Sequence, residues 1–420
     1  MNKKELQLKI NADLALISAE APTERILELV VTPPTAEKKL ERPAFNLAFV
    51  IDRSGSMSGG KLECVKQAVM NVVDLLEEKD RAALVVFDDE VQTLAEVGEM
   101  TPAFRKELKK TLAQIETGGS TNLVGGWARG CDEIAKHQLP EAINRCLLLT
   151  DGQANVGESD PEQLAIHARE LSRRGITTTT FGVGVGYNEE LMEAMANAGS
   201  GNYYFIENPE QSKELFRQEL AGLKQVTARA VEINLKLPTG FKPQVLSTWP
   251  TELKGHQLKI TLGDMISGIE RRVFVKLAVP PASKSDHPKI AGLVRGRANN
   301  GDLLEDSAET AFTPVDGTEL VSAKPEMDIL RGFALVYMAD TSRDAVALKD
   351  RGEDDKAVKL LQDTLDKYRD LLDTKDVTRY EGILAQLKDE MSLADRKYHR
   401  ESSRMISNNL KMPPDRYDRK

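Results

Sequence analysis

Between Phe45 and about Val226, short apolar runs alternate with amphipathic stretches of roughly 12 to 20 residues, the pattern of a parallel sheet covered by helices on both faces. Asn46 to Asp52, Ala82 to Phe87, Arg145 to Thr150, Ile176 to Val183 and Asn202 to Ile206 read as strands. Between the first two, Leu62, Val65, Val69, Val72, Val73 and Leu76 recur at spacings of three and four, so Lys61 to Lys79 carries one apolar helical face. Similar helices are expected over Phe104 to Ile115, Leu123 to Lys136, Pro161 to Arg173, Asn188 to Ala198 and Pro209 to Leu223. Asp160-Pro161-Glu162 and Asn208-Pro209-Glu210 each place a capping side chain, a proline and then an acid at a helix start.

The flanks have a different period. Leu6, Leu8 and Ile10, then Leu27, Leu29 and Val31, alternate with polar residues. So do Val231, Ile233, Leu235 and Leu237, then Leu258, Ile260 and Leu262, and then Val273, Val275, Leu277 and Val279. A period of two describes strands wet on one face and buried on the other. Neither flank has enough strands to bury a face alone, so both are expected to build one antiparallel β-sandwich, with strands of residues 5–32 pairing with strands of residues 227–315. The α/β unit is then an insertion. From Pro325 the pattern is helical: two or three packed helices over Met327 to Asp340, Asp354 to Leu372 and Val377 to Met391 or beyond, with a break at Arg351-Gly352-Glu353. The expected division is 1–43, first strands of the sandwich; 44–226, α/β domain; 227–322, the rest of the sandwich; 323–400, helices; and 401–420, a flexible basic tail.

Composition narrows the classes. With 66 acidic against 57 basic side chains the chain carries a net charge of −9, which argues against nucleic acid as a main partner, because phosphate binding needs clustered Lys and Arg. The exception is 396–420, with eight basic and three acidic residues and with Pro413-Pro414 as a helix breaker. That segment reads as a solvated tail or a docking tail for an acidic partner. No run of 18 apolar residues exists, and charges near Met1 occupy the place of a signal peptide's apolar run, so neither a membrane span nor export is expected. Cys64, Cys131 and Cys146 lie in apolar stretches without metal-ligand spacing and read as buried thiols in a cytoplasmic protein.

The chemistry concentrates at one motif. The first strand of the α/β unit runs into Asp52-Arg53-Ser54-Gly55-Ser56-Met57, placing a carboxylate and two hydroxyls at the carboxyl end of a central strand, where doubly wound sheets bind ligands. Gly118-Gly119-Ser120-Thr121 precedes a helix at the same edge, and Thr150-Asp151-Gly152 closes another buried strand. Convergence of Asp52, Ser54, Ser56, Thr121 and Asp151 would make a hard-oxygen site suited to Mg²⁺, Ca²⁺ or Mn²⁺ and poorly suited to zinc. Arg53 and Met57 are expected to face solvent or the rim, and Asp88-Asp89-Glu90 to be a solvated strand end.

Asp-x-Ser-Gly-Ser, Gly-Gly-Ser-Thr and Thr-Asp-Gly, spread over this strand and helix alternation, resemble the von Willebrand factor A domain with a complete metal-ion-dependent adhesion site. The resemblance covers Phe45 to about Val226, and the flanks are similar, more loosely, to multidomain bacterial members and heavy-chain-like proteins. It implies an α/β fold with a doubly wound, mostly parallel sheet. Ser54 and Ser56 would then hold the ion directly, Thr121 directly or through water, and Asp52 and Asp151 mostly through water. The remaining position would take an acidic residue of a partner protein, with side chains around Gly119, Gly152 and Gly186 as a rim.

The resulting expectation is a non-enzymatic, Mg²⁺-dependent interaction module, with Ca²⁺ or Mn²⁺ possible and the oligomeric state open. Two other readings stay in view: a metal-dependent phosphohydrolase or a subunit assisting a partner ATPase, and a purely structural metal. A second carboxylate cluster, or a Lys or Arg aimed at the open position, would favour catalysis, and neither is visible in the three segments. Phosphotransferases with an aspartyl nucleophile carry a second carboxylate two residues on, where Ser54 stands here. His137, His167, His256, His287 and His399 sit near no plausible nucleophile. Gly182-Val183-Gly184-Val185-Gly186 has the wrong spacing and place for dinucleotide binding.

Overall fold

The chain starts in one layer of a β-sandwich, leaves it for an α/β unit and then returns. In the computed structural model, which describes residues 5–35, 42–139, 141–151, 157–207 and 209–408, β1 (Gln7–Ala12), β2 (Leu16–Ser18) and β3 (Thr23–Thr32) come first. The α/β unit follows as β4 (Phe45–Asp52), α1 (Lys61–Leu75), β5 (Arg81–Phe87), β6 (Val91–Glu99), α2 (Pro102–Ala113), α3 (Leu123–Lys136), β7 (Ile143–Thr150), α4 (Pro161–Arg173), β8 (Ile176–Val183), α5 (Glu189–Ala198), β9 (Ser200–Ile206) and α6 (Pro209–Lys224). The sandwich resumes with β10 (Val226–Lys236), β11 (Lys242–Leu246), β12 (Thr251–Lys254), β13 (Gln257–Ile266), β14 (Arg271–Val279), β15 (Lys289–Arg297), β16 (Leu303–Ala311) and β17 (Thr313–Val315). Helices α7 (Gly317–Ser322), α8 (Met327–Asp350), α9 (Asp354–Tyr368), α10 (Thr374–Lys388) and α11 (Leu393–Ser407) complete it.

The α/β sheet has the order β6-β5-β4-β7-β8-β9, parallel except for β6. β4, β7 and β8 are buried at every position because helices cover both faces. Val65, Val69 and Val72 of α1, with Leu108 of α2 and Phe216 of α6, pack on one face; Trp127 of α3, Leu164 of α4 and Met195 of α5 pack on the other. Cys64, Cys131 and Cys146 are buried in these two cores. Strand order reverses between β4 and β7, so their carboxyl ends open the crevice in which such sheets bind ligands. Asp160 caps α4 by accepting the Glu162 N–H at 2.9 Å, ahead of Pro161; Asn208 lies outside the described residues.

The sandwich joins sequence-distant strands. β3 pairs antiparallel with β14, Leu29 opposite Val273 and Leu27 opposite Val275, in a sheet ordered β1-β3-β14-β11 that faces the sheet β12-β13-β10-β15-β16. Leu8, Leu27 and Leu29 meet Ile233, Leu235 and Ile260 between the layers. The expectation of a wet outer face on β3 is corrected: Ile26 to Val31 are all buried. Helix α8 lies across that face, with Ile329, Phe333 and Val336 against Ile26 and Phe274. A Cβ on Gly332 would meet Phe274 Cζ at 2.5 Å, so a glycine permits this close approach.

Three further expectations change. Edge strand β6 was not anticipated, since it is half-exposed along its length. Helix α8 runs ten residues beyond Asp340, and α11 is an additional helix. The tail expected from residue 401 is corrected as well: Glu401 to Ser407 complete α11, and Glu401, Ser402, Ser403, Arg404 and Met405 are buried. Their burial is polar. Arg404 Nε donates to Asn197 Oδ1 at 2.7 Å, Ser407 Oγ donates to Asp340 Oδ1 at 2.6 Å, and Glu401 Oε1 accepts the Phe205 N–H at 3.3 Å. Residues 409–420, including Pro413 and Pro414, lie outside the described residues.

Candidate functional site

Asp52 ends β4 and is fully buried. Its Oδ1 accepts the Ser54 N–H at 2.8 Å, turning the chain sharply after the strand, and its Oδ2 accepts the Thr150 hydroxyl from the end of β7. Ser54 Oγ lies 3.1 Å from Ser56 Oγ, and Ser56 Oγ donates to Asp151 Oδ1 at 2.7 Å. The ends of two adjacent central strands thus bring four of the five expected residues into one hydrogen-bonded series, Asp52 entering it through the Ser54 backbone N–H.

The fifth arrives through the backbone. Gly118 N donates to Arg53 O at 2.6 Å and Gly55 N donates to Gly119 O at 2.9 Å, clamping the loop before α3 onto the loop after β4. Both glycines are needed for this approach: a Cβ at Gly118 would meet Asp88 Oδ2 at 1.9 Å, and one at Gly119 would meet Asp89 Oδ1 at 1.9 Å. Thr121 follows the clamp and is 2 % exposed. Among the described residues, its hydroxyl shares none of the hydrogen bonds that link the other four. Asn122 then caps α3, accepting the Gly125 N–H at 3.0 Å. Gly152 lies outside the described residues.

Of the run expected to be a solvated strand end, Asp89 and Glu90 are exposed but Asp88 is buried, which corrects its part of that reading. Burial raises its carboxyl, but the Glu90 N–H and the Arg53 guanidinium, 3.1 Å away, outweigh that and hold it below the usual carboxylate range. Arg53 is therefore engaged inside the loop cluster instead of facing solvent. Met57, also expected at the rim, is 0 % exposed and packs into the core beneath α1, anchoring the loop from below.

One residue of the centre escaped the sequence reading. The Lys61 ammonium, at the start of α1, pairs with Asp151 Oδ2 and donates to Ser56 O at 3.1 Å. A basic group does reach the centre, though from outside the three segments, and it is directed at Asp151. Among the described residues, Asp52 has no such partner. Burial pushes its carboxyl above the usual range, the neighbouring Asp151 charge adds to this, and the Ser54 and Thr150 hydrogen bonds oppose it.

The donor set has two carboxylates and three hydroxyls. Among the described residues, no group of three or more His, Cys, Asp or Glu side chains is placed to hold a metal. Hard oxygens around a desolvated carboxylate nevertheless fit a divalent cation of the Mg²⁺ class, which tolerates neutral oxygen ligands and water. A cation there would relieve the crowding of Asp52 against Asp151.

Comparison with known proteins bears on the fold of the α/β unit. A family profile described as the von Willebrand factor type A domain matches residues 46–218. The uncharacterized protein YfbK of Escherichia coli (strain K12) is 30 % identical over 219 residues, 52 % of this chain and 36 % of its own length. Human inter-alpha-trypsin inhibitor heavy chain H3 is 35 % identical over 162 residues, 37 % of this chain and 18 % of its own length. The chain therefore spans about a third or less of either relative. A solved structure described as von Willebrand factor type A from Catenulispora acidiphila shares the fold with a TM-score of 0.73 at 16 % identity, over 98 % of each chain. The α/β unit set into this sandwich matches the von Willebrand factor type A profile and has that fold.

Proposed function

We propose that residues 44–226 present a divalent cation, Mg²⁺ first and Ca²⁺ or Mn²⁺ as substitutes, to an Asp or Glu of a partner protein, while 1–43, 227–322 and the C-terminal helices hold that surface in place. Ser54, Ser56, Thr121, Asp52 and Asp151 are the residues that would hold the ion. When bound, the ion supplies Lewis acidity toward a carboxylate from another molecule. Asp52 fixes the turn through Ser54 N and couples it to β7 through Thr150. Ser56, the exposed member, forms the mouth, with the buried Asp151 beneath it. Lys61 balances the Asp151 charge, and Gly118 and Gly119 let the Thr121 loop close. The observation that supports this reading is the hydrogen-bonded series Thr150–Asp52–Ser54–Ser56–Asp151 at the switch point of the sheet, joined between Asp52 and Ser54 by the Ser54 backbone N–H and elsewhere by side-chain oxygens.

Lys61 is the one observation favouring a catalytic reading, since a lysine at the open position would polarise a phosphate. Its engagement with Asp151 and Ser56 O favours a structural charge instead. Two assays separate the readings. In affinity capture, the chain should retain a partner with Mg²⁺ and release it with chelator, and Asp52→Asn should abolish retention while leaving the fold intact; equal capture in chelator would contradict the proposal. With Mg²⁺ and p-nitrophenyl phosphate no turnover is expected, and turnover lost in Lys61→Met would establish the catalytic reading.

A further inference from the structure

A cavity of about 400 Å³ lies where the α/β domain, the sandwich and α11 meet, far along the sheet from the oxygen centre. Its apolar wall includes Tyr203, Leu223, Leu262 and Met405. Its charged lining is asymmetric in how it is satisfied. The acids have partners: Glu219 takes Arg145 at 2.8 Å together with Thr179, Asn202 and Tyr204, and Asp264 takes Arg145 at 3.1 Å. Glu214, at the rim, faces Arg217 at 3.0 Å.

Two other bases of the lining are arranged differently. Arg404 is 2 % exposed and donates Nε to Asn197 and Nη2 to Gly201 O at 3.4 Å, yet its Nη1 has no hydrogen-bond partner among the described residues. No carboxylate among the described residues comes within 4.0 Å of it, although Glu193 and Glu401 are close enough to be felt. Trp249 Nε1, on the same lining, is also buried without an acceptor among the described residues. Arg271 adds a second guanidinium, 5.6 Å from the Trp249 ring and donating to Asn408 O at 3.4 Å. Burial and the Arg404 charge lower Arg271 to about 10. Two unmet donors, one of them on a buried guanidinium, beside an apolar space are costly unless an acceptor enters.

We propose that this cavity binds a small organic anion, a carboxylate, sulfonate or phosphate on an apolar body, with the charged group on Arg404 Nη1 and Trp249 Nε1 and the body among Tyr203, Leu262 and Met405. Because the cavity is built from all three units, its occupant would brace them together. The proposal is independent of the metal reading and is tested in chelator.

The probe is 1-anilinonaphthalene-8-sulfonate, an aromatic sulfonate that brightens in apolar sites. The folded full chain should show one saturable site, displaced by naphthalene-1-sulfonate at least about tenfold better than by uncharged 1-naphthalenemethanol, the worth of one charge-assisted hydrogen bond. Arg404→Gln should weaken binding by about tenfold. Should Arg404→Gln unfold, two milder variants carry the test: Trp249→Phe keeps the ring and removes the N–H, and Ala221→Trp plugs the rim. The first should weaken binding several-fold and the second abolish it, with unchanged circular dichroism. Equal displacement by the uncharged competitor, or full binding in both Trp249→Phe and Ala221→Trp, would overturn the proposal.

Discussion

At the residue scale, the ion pair of Lys61 with Asp151 sets the electrostatics of the oxygen centre. Removing the ammonium leaves Asp52 and Asp151 as close, poorly solvated acids. Lys61→Met should therefore lower the metal-free melting temperature and tighten divalent-ion binding by several-fold, because the ion no longer competes with an ammonium; calorimetric titration with Mn²⁺ measures it. Weaker binding in this variant would show that Lys61 supports the site instead of competing for it. Gly118→Ala pushes a Cβ into the Asp88 carboxylate and should open the loop clamp, abolishing ion binding while costing about 1–3 kcal/mol in stability, read by urea unfolding. Asp52, Ser54, Ser56 and Asp151 were legible because strand ends and glycine turns leave signatures in a chain. Lys61, Asp88 and Met57 were not: a lysine opening a helix, an acid after a strand and a methionine in a turn are all ordinary at a surface, and only the fold turns them inward.

At the element scale, α11 was hidden by its chemistry. Helices are found from apolar periodicity, but the buried residues of α11 include Lys397, Glu401, Ser402, Ser403 and Arg404, matched by Tyr187, Glu189, Asn197 and Asp340 on elements far off in sequence. Truncation after Arg400 removes the half of α11 that docks on β9 and α5. It should lower the melting temperature by about 5 °C or more, since several kcal/mol of buried contacts are lost; an unchanged melting temperature would show that the docking is energetically idle. The helix also carries a pH signature. His399, next to Gln386 Oε1 at 2.5 Å, is held by burial at about 4, with Arg379 adding to the effect and Asp395 opposing it. Its native state stays neutral while the unfolded state takes up a proton below about 6.5, so its stabilising contribution is complete above 6.5 and is lost between 6.5 and 4. His399→Gln should flatten the fall of melting temperature across that window.

At the scale of the whole molecule, the sandwich order was readable because period-two strands on both flanks need each other. The doubly buried β3 was not, because the covering helix α8 comes some three hundred residues later. The α/β unit is bound to its frame by the Arg145 guanidinium, which rises from β7 to Glu219 on α6 and Asp264 on β13. Arg145→Met strands two buried acids and should cost about 3–5 kcal/mol in urea unfolding; a loss below about 1 kcal/mol would contradict this role.

The metal site is the central claim, and thermal melting of the full chain and of Asp52→Ala, each with chelator and with millimolar Mg²⁺, tests it most directly. A ligand that binds only the native state stabilises it by RT ln(1 + [L]/Kd), about 2.7 kcal/mol at a hundredfold excess over Kd. The account predicts a rise of several degrees with Mg²⁺ in the wild type and none in Asp52→Ala. A wild type that melts at the same temperature with Mg²⁺ and with chelator, or a variant that shifts as far as the wild type, would contradict it.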